Sequence, residues 1–422
     1  MAFRRTSTPK PRRPLTVLIL LVAVLVIPTA VVPAAAAPAP AVAPEAMKAK
    51  PPSADPLLIG HRGAAGVAPE NTVAAFRAGR AAGVDFIETD VQLSADGVPF
   101  LFHDNTPART TNVEEVFPGR EKDPITSFSW AELRRLDAGS SFDRRFAGAR
   151  IPHLDDIART ANRRTGVYLE IKSPQNSPGI ENVVATKLAE DPAWRRLVNA
   201  GKVNVLGFDA SSNRRFATLA PRIPLQQLVG SVPTARTLAD WSTFADSVGT
   251  NYRTLTSEGV GKVHAAGLGL GVYTANSPEA IDAAVDLGVD MVTGDFPQQS
   301  VRLQAGRNPF PRARGLEIAE MVNNPPGNDI EFGAGEYAVV RNTSARTIDV
   351  TGLVLRDAAN NTLTVGAGYR IAPGGELRVH TGPGNNTATA YFNGGTSAIL
   401  NNDGDSVALW DQRGRLHDVF AN

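Results

Sequence analysis

The chain contains no cysteine. That excludes a disulfide framework, a catalytic thiol and any thiolate metal centre, so stability must come from core burial and any metal must be held by oxygen and nitrogen. An excess of one charge is also lacking, for 43 Lys and Arg face 42 Asp and Glu, a formal +1. Even that surplus belongs to the N-terminus: without residues 1–37, which hold five basic and no acidic residues, the count is 38 against 42, a net −4. A mildly acidic chain offers no electrostatic case for nucleic acid or for an anionic membrane surface. No solenoid period is evident. What remains is 422 residues of ordinary apolar content, enough for two or three domains with cores of their own.

Arg4, Arg5, Lys10, Arg12 and Arg13, followed by the apolar run Leu15 to Val32, read as an export signal. Pro28 and Pro33 interrupt the run and Ala34 to Ala37 offer small-residue cleavage sites, so residues 1–37 are expected to be removed. The alternative is an uncleaved anchor, since the run is about as long as a membrane helix requires. On either reading the folded part is secreted or held at the cell surface. Arg12-Arg13 lacks the surroundings of a twin-arginine signal, which leaves the general secretory route. Residues 38–54 are Pro/Ala-rich and read as a semi-extended linker.

From Leu57 onward short apolar runs alternate with helical patterns: LLIG, DFIETDVQL, YLEIK, VNVLGF, PLQQLV, a weak run near Asp246–Val248, LGLGVYT and VDMVTGD, with helices expected at Glu70–Ala82, Ile180–Leu188 and Pro278–Leu287. Eight parallel strands with crossover helices over about 250 residues predict an α/β fold, the (β/α)8 TIM barrel, here residues 55–305. Between Asn105 and Gly148 the alternation lapses, and this stretch, with a short helix at Trp130–Leu136, reads as an insertion over the barrel mouth. Past Asn308 the texture changes to Gly, Asn and Thr with short alternating segments (EYAVVRN, TGLVLRD, GELRVHT, SVALWD), which predicts an all-β immunoglobulin-like sandwich over residues 312–422. The joint contains Gly, Pro and Arg, so the sandwich is expected to be separable and to serve attachment.

In VDFIETDVQL the two-residue period puts Ile87, Val91 and Leu93 toward the helices and Phe86, Glu88 and Asp90 toward the barrel interior. YLEIK repeats the design, with Leu169 and Ile171 outward and Glu170 and Lys172 inward. Buried charges cost several kcal/mol each unless paired or bound to metal. A structural ion-pair network would account for one such strand, but two with the same design favour a metal site. Three carboxylates without cysteine form a hard-oxygen donor set suited to one divalent cation, Ca²⁺ or Mg²⁺. His61 closes LLIGH and His103 closes PFLFHD, at strand ends where barrel active sites are built, and imidazole exchanges protons near neutral pH. Arg62 and Lys172 are cations within reach of an anionic phosphoryl group.

The fragments HRGAAGVAPENT, AGVDFIETDVQLSADGVPFLFHD, YLEIK and GVDMVTGDFP, in that order from Leu57 to Val301, resemble the signature of glycerophosphodiester phosphodiesterases. The resemblance implies that His61 and His103 are the acid/base pair, that Glu88, Asp90 and Glu170 hold the cation, and that Arg62 and Lys172 contact phosphate. Glu70 of the PENT segment corresponds to a motif glutamate that assists the metal or orients its neighbours. Tyr273 stands where the family usually has tryptophan, and VLGFD lacks the usual Gln-Ser, so the pocket wall departs from the pattern. NPPGNDIEFGAGEYAVVRNTS, IAPGGELRVHTGPG and YFNGG…LNNDGDSVALWDQRG resemble a lamin-tail domain, in which Asp403 and Asp405 look like a calcium pair but are explained by a turn.

The expected activity is hydrolysis of small glycerophosphodiesters to sn-glycerol 3-phosphate and an alcohol by two-histidine catalysis through a cyclic phosphate. Two other readings stand beside it. One is phospholipase D-type or glycerophosphate-polymer cleavage on the same barrel, which an apolar lid built from Val113, Val116, Phe117, Ile125 and Phe128 would favour. The other is a non-catalytic surface binding protein. A cell-envelope ligand is the expected partner of the C-terminal domain, and nucleic acid is not expected.

Overall fold

The computed structural model describes residues 55–422; the expected signal and linker lie outside the described residues. Eight parallel strands, β1 (Leu57–Gly60), β2 (Phe86–Leu93), β4 (Gly166–Ile171), β5 (Val203–Gly207), β6 (Leu225–Val229), β7 (Ser247–Asn251), β8 (Gly269–Tyr273) and β9 (Met291–Gly294), close into a barrel through the β1–β2 and β1–β9 pairings. β3 (Pro99–Leu101) is a short antiparallel addition on β2, with Val91 opposite Leu101.

Alternation along the strands builds two apolar layers. Ile59, Phe86, Tyr168, Leu206, Leu228 and Met291 fill the barrel interior. Ile87, Val91, Leu169 and Ile171 face outward against the helices, sharing a core with Phe76, Val184 and Trp194. The first helix starts at Val73 rather than at Glu70 because Thr72 takes the N-cap position, its side chain accepting the Ala75 amide. Asn71 just before it sits at φ +53 with its side chain committed to β2, which is incompatible with a helical turn.

Residues 105–148 form a satellite with its own core. Val113, Ile125 and Phe128 are fully buried there with Leu133, Leu136 and the β3-side Phe100 and Phe102, and Val116 and Phe117 pack against them. The apolar residues that could have made a lipid-facing lid are therefore consumed in packing. The helix expected at Trp130–Leu136 spans only Trp130–Leu133, closed at its start by the Ser129/Glu132 capping box, and a second short helix covers Val113–Val116.

The C-terminal region is a sandwich of two four-stranded sheets. β10 (Leu316–Val322), β11 (Tyr337–Asn342), β16 (Glu376–His380) and β17 (Ala390–Phe392) form one; β14 (Thr362–Thr364), β13 (Val354–Asp357), β18 (Ser406–Trp410) and β19 (Leu416–Ala421) form the other. Ile318, Val340, Leu377 and Val379 from the first sheet meet Leu355 and Leu409 from the second in one apolar core. A two-strand ribbon, β12 (Ile348–Asp349) with β15 (Arg370–Ile371), completes the region. Asp405 accepts the Asn401 and Ser406 amides, which makes the Asn401–Asp405 segment a hydrogen-bonded turn.

The sandwich is docked on the barrel rather than hung from it. Phe296 of the barrel shares an apolar cluster with Ala408, Leu416 and Val419, flanked by Val67, Phe310 and Trp410. Arg253, just past β7, donates from Nη2 to the Asp405 carbonyl at 2.8 Å. Among the described residues no helix is long and apolar enough to cross a membrane.

The turn after β1 depends on Gly63, at φ +96, where an added Cβ would lie 2.6 Å from the Ala75 backbone. Gly83, the helix C-cap at φ +89, has open space around it. Gly63→Ala should therefore cost more than the ~1–2 kcal/mol of left-handed strain expected for Gly83→Ala. Thermal unfolding of the two variants compares them directly.

Candidate active site

β1, β2, β3 and β4 bring the candidate residues to one end of the barrel. Glu88 and Asp90 of β2 and Glu170 of β4 point inward, and their ligand oxygens lie within 4.8 Å of one another. The register sets Asp90 opposite Glu170 on the neighbouring strand. Lys172 Nζ is 3.0 Å from Glu170 and 3.5 Å from Asp90. Asp90 also accepts from Asn71 Nδ2 at 2.8 Å. Glu88 makes no ion pair among the described residues; its Oε2 accepts the Arg62 amide at 2.6 Å, which ties the turn after β1 to β2.

Burial and mutual repulsion dominate the carboxylates. Glu88 is pushed well above the usual carboxylate range by burial, then by Asp90 and Glu170. Glu170 is pushed up to about 7 by burial and by Asp90, against the pull of Lys172. Asp90 is held low: burial would raise it, but His103, Lys172 and Arg62 together with the Asn71 hydrogen bond outweigh that. Glu88 and Glu170 are thus incompletely neutralised by the side chains around them, and the donor set is hard oxygen, which fits a divalent cation.

Both histidines are held through Nδ1 by carboxylates, His61 by Asp295 and His103 by Asp104, each at 2.7 Å. That arrangement leaves Nε2 for a substrate. Burial, helped by the charges of Arg62 and Lys172, lowers the His103 pKa below the ordinary imidazole value despite Asp90 and Asp104. His61, Arg62, Glu88, His103, Glu170 and Lys172 line one pocket of about 680 Å³, with Phe208 and Tyr273 on its wall. Arg62 Nε is buried without a hydrogen-bond partner and lies 3.8 Å from Asp90 Oδ2. The Tyr273 hydroxyl donates to the Val229 carbonyl, which fixes its ring as wall against Phe208.

Glu70 does not join the three-carboxylate group. It bridges Arg62 Nη1 at 2.9 Å and both terminal nitrogens of Arg109, and although burial opposes it, these guanidinium groups hold it down at about 2. Arg109 also binds both oxygens of Asp104, so the nearby grouping of Glu70, His103 and Asp104 already has its cation. Asn71, Asp104, Arg109, Asn276 and Asp295 escaped the sequence reading. Asp104 and Asp295 stand inside the FHD and TGD fragments, so their proximity to the site had a local signal; Arg109 lies in the irregular insertion and had none.

Comparison with known proteins agrees with this geometry. Residues 61–299 match the glycerophosphoryl diester phosphodiesterase family, and residues 310–422 match the lamin tail domain. A glycerophosphodiester phosphodiesterase of Bacillus subtilis is 29% identical over 262 residues, covering 59% of this chain and 87% of that protein. Another, from Caldanaerobacter subterraneus, is 32% identical over 253 residues, covering 58% of this chain and 97% of that protein. Among solved structures, an Oleispira antarctica phosphodiesterase in complex with the product sn-glycerol-3-phosphate superposes with a TM-score of 0.51 at 28% identity, covering 59% of this chain and 96% of that one.

Carboxyls whose pKa values rise on folding stabilise the fold below their unfolded value and lose that contribution as pH rises through the folded one. For Glu170 that window runs from 4.5 to about 7. In chelator, thermal stability should therefore gain when Glu170→Gln removes one repelling charge, and the gain should grow as pH rises across the window. Added Ca²⁺ or Mg²⁺ should raise the melting temperature of the unsubstituted protein and do so least in the Gln variant. Scanning calorimetry with and without the cation measures both.

Proposed function

The chain belongs to the glycerophosphoryl diester phosphodiesterase family, and from that premise we propose that it hydrolyses glycerophosphodiesters with His61 and His103 as the acid/base pair. The observation that carries the reading is the convergence of two carboxylate-held histidines, Glu88, Glu170 and two cations on one pocket, with Asp90 grouped with the two glutamates within 4.8 Å. Glu88, Asp90 and Glu170 would hold a divalent cation, which when bound supplies Lewis-acid polarisation of a phosphoryl oxygen. Hard-oxygen donors support Ca²⁺ or Mg²⁺ in that role.

Arg62 and Lys172 line the pocket and are placed to bind the phosphate. His103, kept neutral by burial, takes the proton from the glycerol hydroxyl beside the phosphate. That oxygen attacks phosphorus, the bond to the leaving alcohol breaks, and His61, its Nδ1 side held by Asp295, donates a proton to the departing oxygen. Water then opens the cyclic phosphate with the two roles reversed. Glu70 orients Arg62 and, through Arg109, the Asp104 partner of His103. Phe208 and Tyr273 form the wall that meets the leaving group, which gives the departures in GVYTAN and VLGFD a place in substrate choice. The basic and apolar N-terminal residues support export, so the working location is proposed to be the cell exterior or surface.

His61→Ala and His103→Ala should each retain the melting temperature within a few degrees and lose about 10²-fold to 10⁴-fold in turnover of glycerophosphocholine. Near-normal turnover in either would remove that histidine from the chemistry. Because His103 must be neutral to accept a proton and its pKa is depressed, the acid limb of kcat/KM should fall below the ordinary imidazole value of about 6.5. A 2-deoxyglycerol analogue should bind yet turn over poorly, since intramolecular attack is worth about 7–11 kcal/mol. Its rapid hydrolysis would point to direct attack by water.

A further inference from the structure

The polar chain behind His61 does not end in the barrel. Asp295 accepts from His61 through Oδ1, and its Oδ2 accepts from Asn276 Nδ2 at 2.6 Å. Asn276 Oδ1 in turn accepts the Asp295 amide at 2.8 Å. The second hydrogen of the same Asn276 nitrogen goes to Ser406 Oγ at 2.8 Å, and Ser406 is the first residue of β18 in the C-terminal sandwich. Asn276, Asp295 and Ser406 are all buried. A flipped amide would set its oxygen against the Asp295 carboxylate, so the contacts on both sides of Asn276 hold its plane, and that plane holds the carboxylate facing the histidine.

We propose that the sandwich is a working part of the active site and that Ser406 is a positioning residue for His61, acting through Asn276 and Asp295. The inference rests on the reading of His61 as a proton-transfer group. Ser406 is itself held in place from both sides. Its amide donates to Asp405 Oδ1 at 2.7 Å, while Arg253 from the barrel holds the Asp405 carbonyl. The apolar contact of Phe296 with Ala408, Leu416 and Val419 sets the strand against the barrel. Ala358, Asn401, Gly404 and Asp405 also wall a groove that contains His61 and Arg62. A barrel alone would leave the second N–H of Asn276 to water and that side of the groove open.

The experiment uses the full chain with glycerophosphocholine and compares Ser406→Ala, Ser406→Thr and Val379→Ala. Val379 lies in the sandwich core on the sheet that does not carry Ser406, so its truncation reports loss of sandwich stability alone. Ser406→Ala should lower kcat by about threefold to thirtyfold, less than the 10²-fold of a full ångström displacement, with KM within about twofold. Ser406→Thr, which restores the hydroxyl, should recover most of the loss, and Val379→Ala should lower the melting temperature while leaving kcat in place. Unchanged kcat in Ser406→Ala, or an equal loss in Val379→Ala, or no recovery with threonine, overturns the proposal. Absence of hydrolysis by the unsubstituted protein would instead overturn the reading on which it rests.

Discussion

Three carboxyl groups with their oxygens within 4.8 Å of one another, inside a barrel and away from bulk water, are the arrangement around which the rest of this molecule is built. Such a cluster opposes folding, through lost hydration and through repulsion, unless the surrounding structure holds it. The closed barrel does so because its strands are rigid and paired on both edges, so the inward side chains of β2 and β4 have no freedom to separate. Asn71 anchors Asp90, the Arg62 amide anchors Glu88 and Lys172 bridges Glu170 to Asp90. The charge left over at Glu88 and Glu170 is what a divalent cation would offset.

The same logic of paired charges extends outward by one layer. Each histidine gives one ring nitrogen to a carboxylate and leaves the other for the proposed proton transfer. Arg109 ties Glu70 to Asp104 and so joins the β1 side of the site to the β3 side. The proposed proton transfer would demand placement to a fraction of an ångström, and these contacts hold the rings from short segments at the ends of strands. The insertion contributes Arg109 to this layer while committing its apolar residues to a core of its own.

Two domains that read as separable on sequence share a packed boundary. Phe296 follows directly on Asp295, so the residue that anchors the sandwich and the residue that orients His61 are neighbours in the chain. The sandwich contact and the His61–Asp295 pair therefore meet at adjacent residues of the chain. Asn401, Gly404, Asp405 and Ser406 also wall a groove that contains His61 and Arg62.

Periodicity alone determined the barrel, the sandwich and the inward orientation of Glu88, Asp90 and Glu170, because a two-residue strand period assigns each side chain to a face before any contact is known. Fragments such as HRG and FHD likewise marked His61, Arg62 and His103 as strand-end residues. Tertiary structure alone decided which partners these groups have. Asp295 lies 234 residues from His61, Arg109 lies 39 from Glu70, and Ser406 lies 130 from Asn276. No local pattern encodes such pairings, since they arise when barrel closure brings β9 beside β1 and when apolar docking sets β18 against Phe296.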